Sequence, residues 1–310
     1  MTRVANYAQH LLNLSYLSAT QTRIKDSQIA VSSGKVAQSY DKLGVDAHQL
    51  LSLERSSVRA EQYVKNIDRA IGRLDITEST LATMTDRATY LLGQLAISIN
   101  ADNADLVALD EIGGGFLQEV ASLLNVRHGD RYLFAGSRGD IAPVDLTGYD
   151  PTATWPPAAP GAVDTSYYQG DGITAVARAG DSFELDYGTT ADQDGFEKLM
   201  RALSYTKWAG LNPADPNRTA VLSAALDLTR EAIGDLSRIR SDVGAKYSVL
   251  EQTKLRHQQF MTYADTAISD IEDTDLAEAV TRISNDQTQL EASYLTLARL
   301  QSVSLLDFLR

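Results

Sequence analysis

Residues 53–99 read LERSSVRAEQYVKNIDRAIGRLDITESTLATMTDRATYLLGQLAISI, and their spacing decides the fold. Alternating steps of four and three pick out Leu53, Ser57, Ala60, Val64, Ile67, Ile71, Leu74, Glu78, Leu81, Thr85, Ala88, Leu92, Leu95 and Ile99. That repeat is a heptad seam. Only Ser57, Glu78 and Thr85 break its apolar character and no proline interrupts it, so the spacing predicts one continuous helix of about 70 Å. An uncovered apolar stripe costs about 25 cal/mol per Å² in water, so a second helix has to lie along it. The same spacing recurs at Ile233, Leu236, Arg240, Val243, Tyr247, Leu250, Lys254, His257, Met261, Ala264, Ile268 and Ile271. Two such seams far apart in one chain predict a mainly α fold, a long antiparallel helical coiled-coil rod with both termini at one end. The rod seam is assigned to Val64, Ile67, Ile71, Leu74, Leu236, Val243 and Leu250.

Outward from the seam, Val4, Tyr7, Leu11, Leu14, Leu17, Ile24 and Val31 predict an amphipathic helix that Gly34 ends as a C-cap. Gly113-Gly114-Gly115 sits inside a helical stretch after residue 105. At about 1 kcal/mol per glycine relative to alanine, the run predicts a local break or a close helix approach. From Ile141 to Asp194 the texture changes, with Pro143, Pro151, Pro156, Pro157 and Pro160 among many Gly and Tyr. Strands are expected at Tyr167-Tyr168, Ile173 to Val176 and Phe183 to Tyr187, with turns at Gly170-Asp171-Gly172 and Gly180-Asp181. A return helix from about Thr219 to Ile271 follows. The acidic run Asp270, Glu272, Asp273 and Asp275 then separates it from a last helix that ends in Val303, Leu305, Leu306, Phe308 and Leu309. The expected division is a terminal coiled-coil domain (1–40 with 275–310), a helical rod domain (41–140 with 195–274) and a β-rich outer insertion (141–194). The insertion is expected to be peripheral and removable.

Composition narrows the function classes. A net charge of −13 without clustered Lys and Arg argues against a nucleic-acid partner. No stretch approaches 18 consecutive apolar residues and the first thirty residues lack a cleavable-signal pattern, so neither a membrane partner nor a cleaved signal peptide is expected. With no cysteine there is no disulfide framework and no thiolate metal site. His10, His48, His128 and His257 are isolated from one another, without metal-ligand spacing. His257 reads as a packed seam residue. The Ser32 to Lys35 spacing matches Ser-x-x-Lys without the companion motifs of acyl-transfer enzymes. Arg138-Gly139-Asp140 and Asn217-Arg218-Thr219 match a receptor-read tripeptide and a glycosylation triplet, and neither is assigned a role. No catalytic, cofactor-binding or metal-binding residue is assigned, and no enzyme activity is expected.

Several stretches resemble the bacterial flagellin superfamily, most closely its hook-filament junction branch. Ser32-Ser33-Gly34-Lys35 with Asp41 and Gly44 resembles the Ser-Gly turn and acidic segment of those proteins. Arg131-Tyr132-Leu133-Phe134-Ala135-Gly136, Tyr168-Gln169-Gly170-Asp171 and Phe196-Glu197-Lys198-Leu199 continue the likeness in order. So do Ile271 to Glu278 and the closing Leu305-Leu306-Asp307-Phe308-Leu309-Arg310. The resemblance implies a structural subunit of the flagellum, either an adaptor between the hook-side junction protein (FlgK type) and flagellin or a filament flagellin. It also implies a homo-oligomeric ring or filament, an export chaperone on the C-terminal helix, and an extracellular location reached without a cleaved signal. The assembly interface is expected on the terminal helices, at Val4, Tyr7, Leu11, Leu14, Leu17, Leu290, Tyr294, Leu297, Leu305, Leu306, Phe308 and Leu309.

Overall fold

Caps and apolar spacing set the helices. The structure is a computed structural model, and it describes residues 2–99, 107–153 and 162–308, the side chains of 2–10 and 300–308 excepted. In chain order the elements are α1 (Thr2–Ser33), a 3₁₀ turn (Tyr40–Lys42), α2 (Asp46–Ser98), α3 (Leu109–Leu124), β1 (Arg127–His128), β2 (Arg131–Tyr132), β3 (Val176–Arg178), β4 (Glu184–Asp186), α4 (Asp194–Leu211), α5 (Arg218–Glu272) and α6 (Leu276–Phe308). The fold is mainly α with a small β insertion. The chain falls into two compact units, Met1–Arg59 with Gln259–Arg310, and Ala60–Gln258.

In the unit Ala60–Gln258, α2 and α5 run antiparallel. The Tyr63 and His257 rings lie 5.3 Å apart, Lys254 pairs with Asp68 at 2.9 Å and Arg240 with Glu78 at 2.6 Å. Every seventh residue of α2 from Ala60 to Leu95 is buried: Ala60, Ile67, Leu74, Leu81, Ala88 and Leu95. On α5 the same holds for Leu236, Val243 and Leu250. The second row of the α2 seam lies one residue earlier than the sequence spacing suggested. Ala70, Thr77, Met84, Leu91 and Ser98 are buried, whereas Val64, Glu78, Thr85, Leu92 and Ile99 are half-exposed, and of that row only Ile71 is buried.

Over residues 63–77 the reason is a second covering element. Tyr63 Oη donates to Asp181 Oδ1 (2.7 Å), Asn66 Nδ2 to the Arg178 carbonyl (3.3 Å) and Arg73 Nη1 to Tyr187 Oη (2.7 Å). The β3–β4 hairpin thus lies along the flank that carries Tyr63, Ala70 and Thr77. From α5, His257 Nε2 meets the Ala179 carbonyl at 2.8 Å. Polar residues in these helical rows keep their hydroxyls satisfied one turn back. Thr77, Ser98, Thr229 and Thr253 each donate to the carbonyl four residues earlier at 2.7–2.9 Å.

α3 stays unbroken through its three glycines, and the close approach is the alternative that holds. A Cβ on Gly113 would stand 2.8 Å from the Leu203 carbonyl oxygen and overlap the Lys207 nitrogen of α4. On the other side, a Cβ on Gly210 would overlap the backbone of Asp110. Gly115 meets nothing. Within α4 a buried ion pair, Arg201 with Glu197 at 2.9 Å, also receives the Asp164 N–H at 3.0 Å.

The segment 141–194 carries little strand. β3 pairs antiparallel with β4 over Val176↔Asp186 to Arg178↔Glu184, the expected Gly180-Asp181 turn lies between them, and Tyr168 makes an isolated bridge to Val144. Its order comes from aspartates that turn back on the backbone: Asp145, Asp150, Asp164, Asp171 and Asp186 each accept the N–H two residues on. Asn125 at the end of α3 holds Val144 by both backbone groups, at 2.8 and 2.9 Å. Val144, Tyr167, Ala177, Ala179, Tyr187 and Ala191 enter the same apolar core as α2, α3, α4 and α5. The expectation of a removable insertion is therefore corrected, because the segment supplies core residues to the unit that it belongs to.

Two outcomes follow from this packing. Gly113→Ala forces α3 off α4 and should cost about 1–3 kcal/mol, whereas Gly115→Ala should add up to about 1 kcal/mol, both read from urea unfolding. Replacing residues 141–194 by a short linker should abolish the cooperative unfolding of the unit Ala60–Gln258, followed by circular dichroism. A deletion variant that melts like the parent would place the core elsewhere.

Candidate functional site

In the unit Met1–Arg59 with Gln259–Arg310, α1 and α6 pair antiparallel. Arg23 Nη2 pairs with Asp286 Oδ1 at 3.0 Å, and Gln21 Nε2 donates to Tyr294 Oη at 2.6 Å. The chain turns where the Ser-Gly motif meets the acidic run. Gly34 takes φ +73°, a conformation that suits a residue without a Cβ, and its N–H bonds the Ala30 carbonyl at 2.8 Å as the helix C-cap. Lys35 and Asp273 form an antiparallel bridge, Val36 N–H donates to the Glu272 carbonyl (2.7 Å) and Thr274 N–H to the Gly34 carbonyl (2.9 Å). Lys35 Nζ reaches Glu272 at 2.8 Å, and that hydrogen bond raises its pKa. Asp275 caps α6 by accepting the N–H groups of Ala277 and Glu278 at 2.9 and 3.1 Å. Glu272 and Asp275 of the acidic run are thus taken up by pairing and capping, and Asp273 accepts from the Ser269 hydroxyl.

Few described side chains of the α1–α6 pair are buried: Leu17, Thr20 and Ile24 on α1, and Ala279 and Asp286 on α6. Of the expected interface residues, Leu17 is buried, Leu290 and Leu297 are half-buried, and Leu11 (49%), Leu14 (42%) and Tyr294 (45%) are exposed. Leu12, Tyr16 and Leu295, which the spacing did not single out, add to the exposed apolar surface. A groove of about 360 Å³ runs beside them, lined by Tyr16, Leu17, Ala292, Ser293, Thr296 and Leu297 among others. The side chains of Val4, Tyr7, Leu305, Leu306 and Phe308, and Leu309 altogether, lie outside the described residues.

In the unit Ala60–Gln258 the fold brings two of the sequence motifs together. Gly136, at φ +69°, lies against Asp171, where a Cβ would overlap both its carbonyl and its carboxylate. Asp171 accepts from the Ser137 hydroxyl (2.5 Å), the Ser137 N–H (2.8 Å) and the Ile173 N–H (3.1 Å), and Tyr168 Oη donates to its carbonyl at 2.7 Å. Two residues before Gly136, Phe134 is buried edge-on against Phe196, ring centroids 5.8 Å apart. Arg138 Nη1 donates to the Gln169 carbonyl at 2.9 Å and Gly139 is packed on Arg131, so the Arg-Gly-Asp tripeptide is tied into this clamp.

The bacterial flagellin N-terminal helical region matches residues 4–138, and the bacterial flagellin C-terminal helical region matches residues 226–309. This chain belongs to the bacterial flagellin family. Among solved structures, this flagellin-family chain is similar to a Vibrio parahaemolyticus protein assigned as flagellar hook-associated. The TM-score is 0.59 at 17% identity, over 73% of this chain and 97% of that one. It is similar also to Bacillus cereus FlgL, with a TM-score of 0.54 at 18% identity over 72% and 99%. No curated protein matches it.

As a flagellin-family member the chain is a structural flagellar protein. Among the described residues no group of three His, Asp or Glu could hold a metal ion, and no helix is long and apolar enough to cross a membrane.

The clamp around Asp171 carries a pH dependence. The Ser137 hydroxyl, and after it the Ser137 N–H, hold the Asp171 carboxyl below the ordinary carboxylate range. A depressed folded pKa stabilises above the unfolded value of about 4 and loses that contribution as pH falls through the folded one. Asp171→Ala should lower the melting temperature at neutral pH, and the gap to the parent should narrow below about pH 4. Melts across that range check both statements.

Proposed function

We propose that this flagellin-family protein is an adaptor that joins the hook-side junction protein to the flagellin filament by packing α1 and α6 against neighbouring subunits. The observation that carries the reading is the apolar surface left over after α1 and α6 have paired. Leu11, Leu12, Leu14, Tyr16, Tyr294 and Leu295 are each 42% exposed or more, on helices whose own buried row is already made by other residues. A cluster of this kind on a paired helix face suits a contact with another protein. The likeness in fold to hook-associated proteins over nearly the whole of their length supports the adaptor role over unlimited growth. The filament reading is the alternative, favoured by the match of both helical ends to flagellin itself. On either reading the protein works outside the cell, is exported without a cleaved signal, and has its C-terminal helix guarded by a chaperone before assembly. The division into a terminal part and a rod part belongs to the same proposal, with the segment 141–194 packed into the core of the unit Ala60–Gln258.

The two readings part in one experiment. Purified protein added to filament seeds should give short, capped assemblies for an adaptor, and continued elongation would overturn that role in favour of flagellin. Leu14→Asp should melt within about 0.5 kcal/mol of the parent because the side chain is exposed, yet fail to join seeds or hook ends. Leu17→Asp should instead disrupt the α1–α6 pair itself. Normal incorporation of Leu14→Asp would remove this surface from the joining mechanism.

A further inference from the structure

A cavity of about 240 Å³ lies in the unit Ala60–Gln258 where four segments converge: Arg73 and Thr77 of α2, Arg131 to Leu133 with Gly136 and Ser137, Ile173 to Ala175, and Tyr187 to Thr189. Two arginines line it in a chain of net charge −13, and among the described residues neither guanidinium meets a carboxylate. Arg73 Nη1 donates to Tyr187 Oη and Arg131 Nη2 to the Ser137 carbonyl, which leaves the remaining N–H groups of both forks without a charged acceptor. Carboxylates do stand nearby, but they are engaged elsewhere. Asp171 accepts from Ser137 and Ile173, and Asp186 from the Thr174 hydroxyl (2.5 Å) and the Gly188 N–H (3.3 Å).

The rest of the lining is mixed. Leu133, Ile173 and the face of Tyr132 turned away from the Arg127 guanidinium offer apolar surface, Thr189 and Tyr187 bring hydroxyls, and those of Ser137 and Thr174, whose protons go to Asp171 and Asp186, keep lone pairs to accept with. Guanidinium forks match a carboxylate in two parallel hydrogen bonds, hydroxyls match hydroxyls, and an aromatic face takes the flat side of a sugar ring. The volume admits a ligand the size of one monosaccharide. We propose that this cavity is a binding site for a small polyhydroxylated carboxylate, of the chemical class of a hexuronic acid, held by Arg73 and Arg131. The site shares no residue with the exposed apolar surface of α1 and α6.

The test uses the full chain. D-glucuronate is titrated against the protein with backbone amide shifts of Ser137, Thr174 and Gly188 as the readout, beside D-glucose and inorganic phosphate. Saturable shifts at these amides with glucuronate and none with glucose are expected. Arg73→Lys, which keeps the charge and loses the fork, should weaken binding about tenfold, and Arg73→Gln more, with circular-dichroism melts confirming that both variants fold. Phosphate binding as tightly as glucuronate at the same amides overturns the carboxylate assignment. Absence of saturation with glucuronate overturns the site, as does unchanged affinity in folded Arg73→Gln.

Discussion

A stripe of small and large apolar side chains at every seventh position of one 53-residue helix has to be kept from water, and the unit Ala60–Gln258 is arranged to do so. One element cannot cover it. α5 takes the side that presents Asp68 and Glu78, and the β3–β4 hairpin takes the side of Tyr63, Asn66 and Arg73. The buried arc is therefore wider than a two-helix seam and turned toward the hairpin. This also explains why Thr77 and Ser98 can sit inside it. Their hydroxyls are already satisfied by the helix's own carbonyls, so burial costs little in unmet hydrogen bonding.

That geometry marks what the sequence made legible. Helix bounds could be read because their signals are local: Gly34 ends α1, Asp275 starts α6, and no proline enters α2. The rotation of the α2 seam could not be read. The periodicity of Leu and Ile counts apolar residues, and the row that includes Thr77 and Ser98 is built partly from hydroxyls that count as polar. The segment 141–194 was legible as a change in texture and illegible as a fold. Its order rests on aspartate side chains taking backbone N–H groups and on Asn125 standing in for a strand, which leaves no alternating pattern to detect. The Arg131 to Gly136 and Tyr168 to Asp171 motifs were visible separately. Their junction through Ser137 and Asp171 is a contact across more than thirty residues that spacing does not encode.

The two units place their apolar residues differently. In the unit Ala60–Gln258, large side chains such as Phe134, Tyr167, Phe196 and Tyr205 are fully enclosed. The α1–α6 pair buries a thread of small and polar residues instead, Thr20, Ala279 and Asp286 beside Leu17 and Ile24, and holds its larger apolar groups outside. The stabilisation that those groups offer is only released when something else covers them, which is what the proposed joining role would supply.

A repeated seam has a weakness of its own, because sliding α5 along α2 by seven residues, about 10 Å, presents nearly the same apolar row to the partner. Adhesion by apolar contact does not distinguish the two alignments. Lys254 opposite Asp68, Arg240 opposite Glu78 and His257 against Tyr63 and the Ala179 carbonyl do distinguish them, since each meets a partner of matching chemistry at one alignment. The pairs are partly exposed and contribute little to adhesion. They act as index marks, fixing which residue of the return helix faces which residue of the outgoing one.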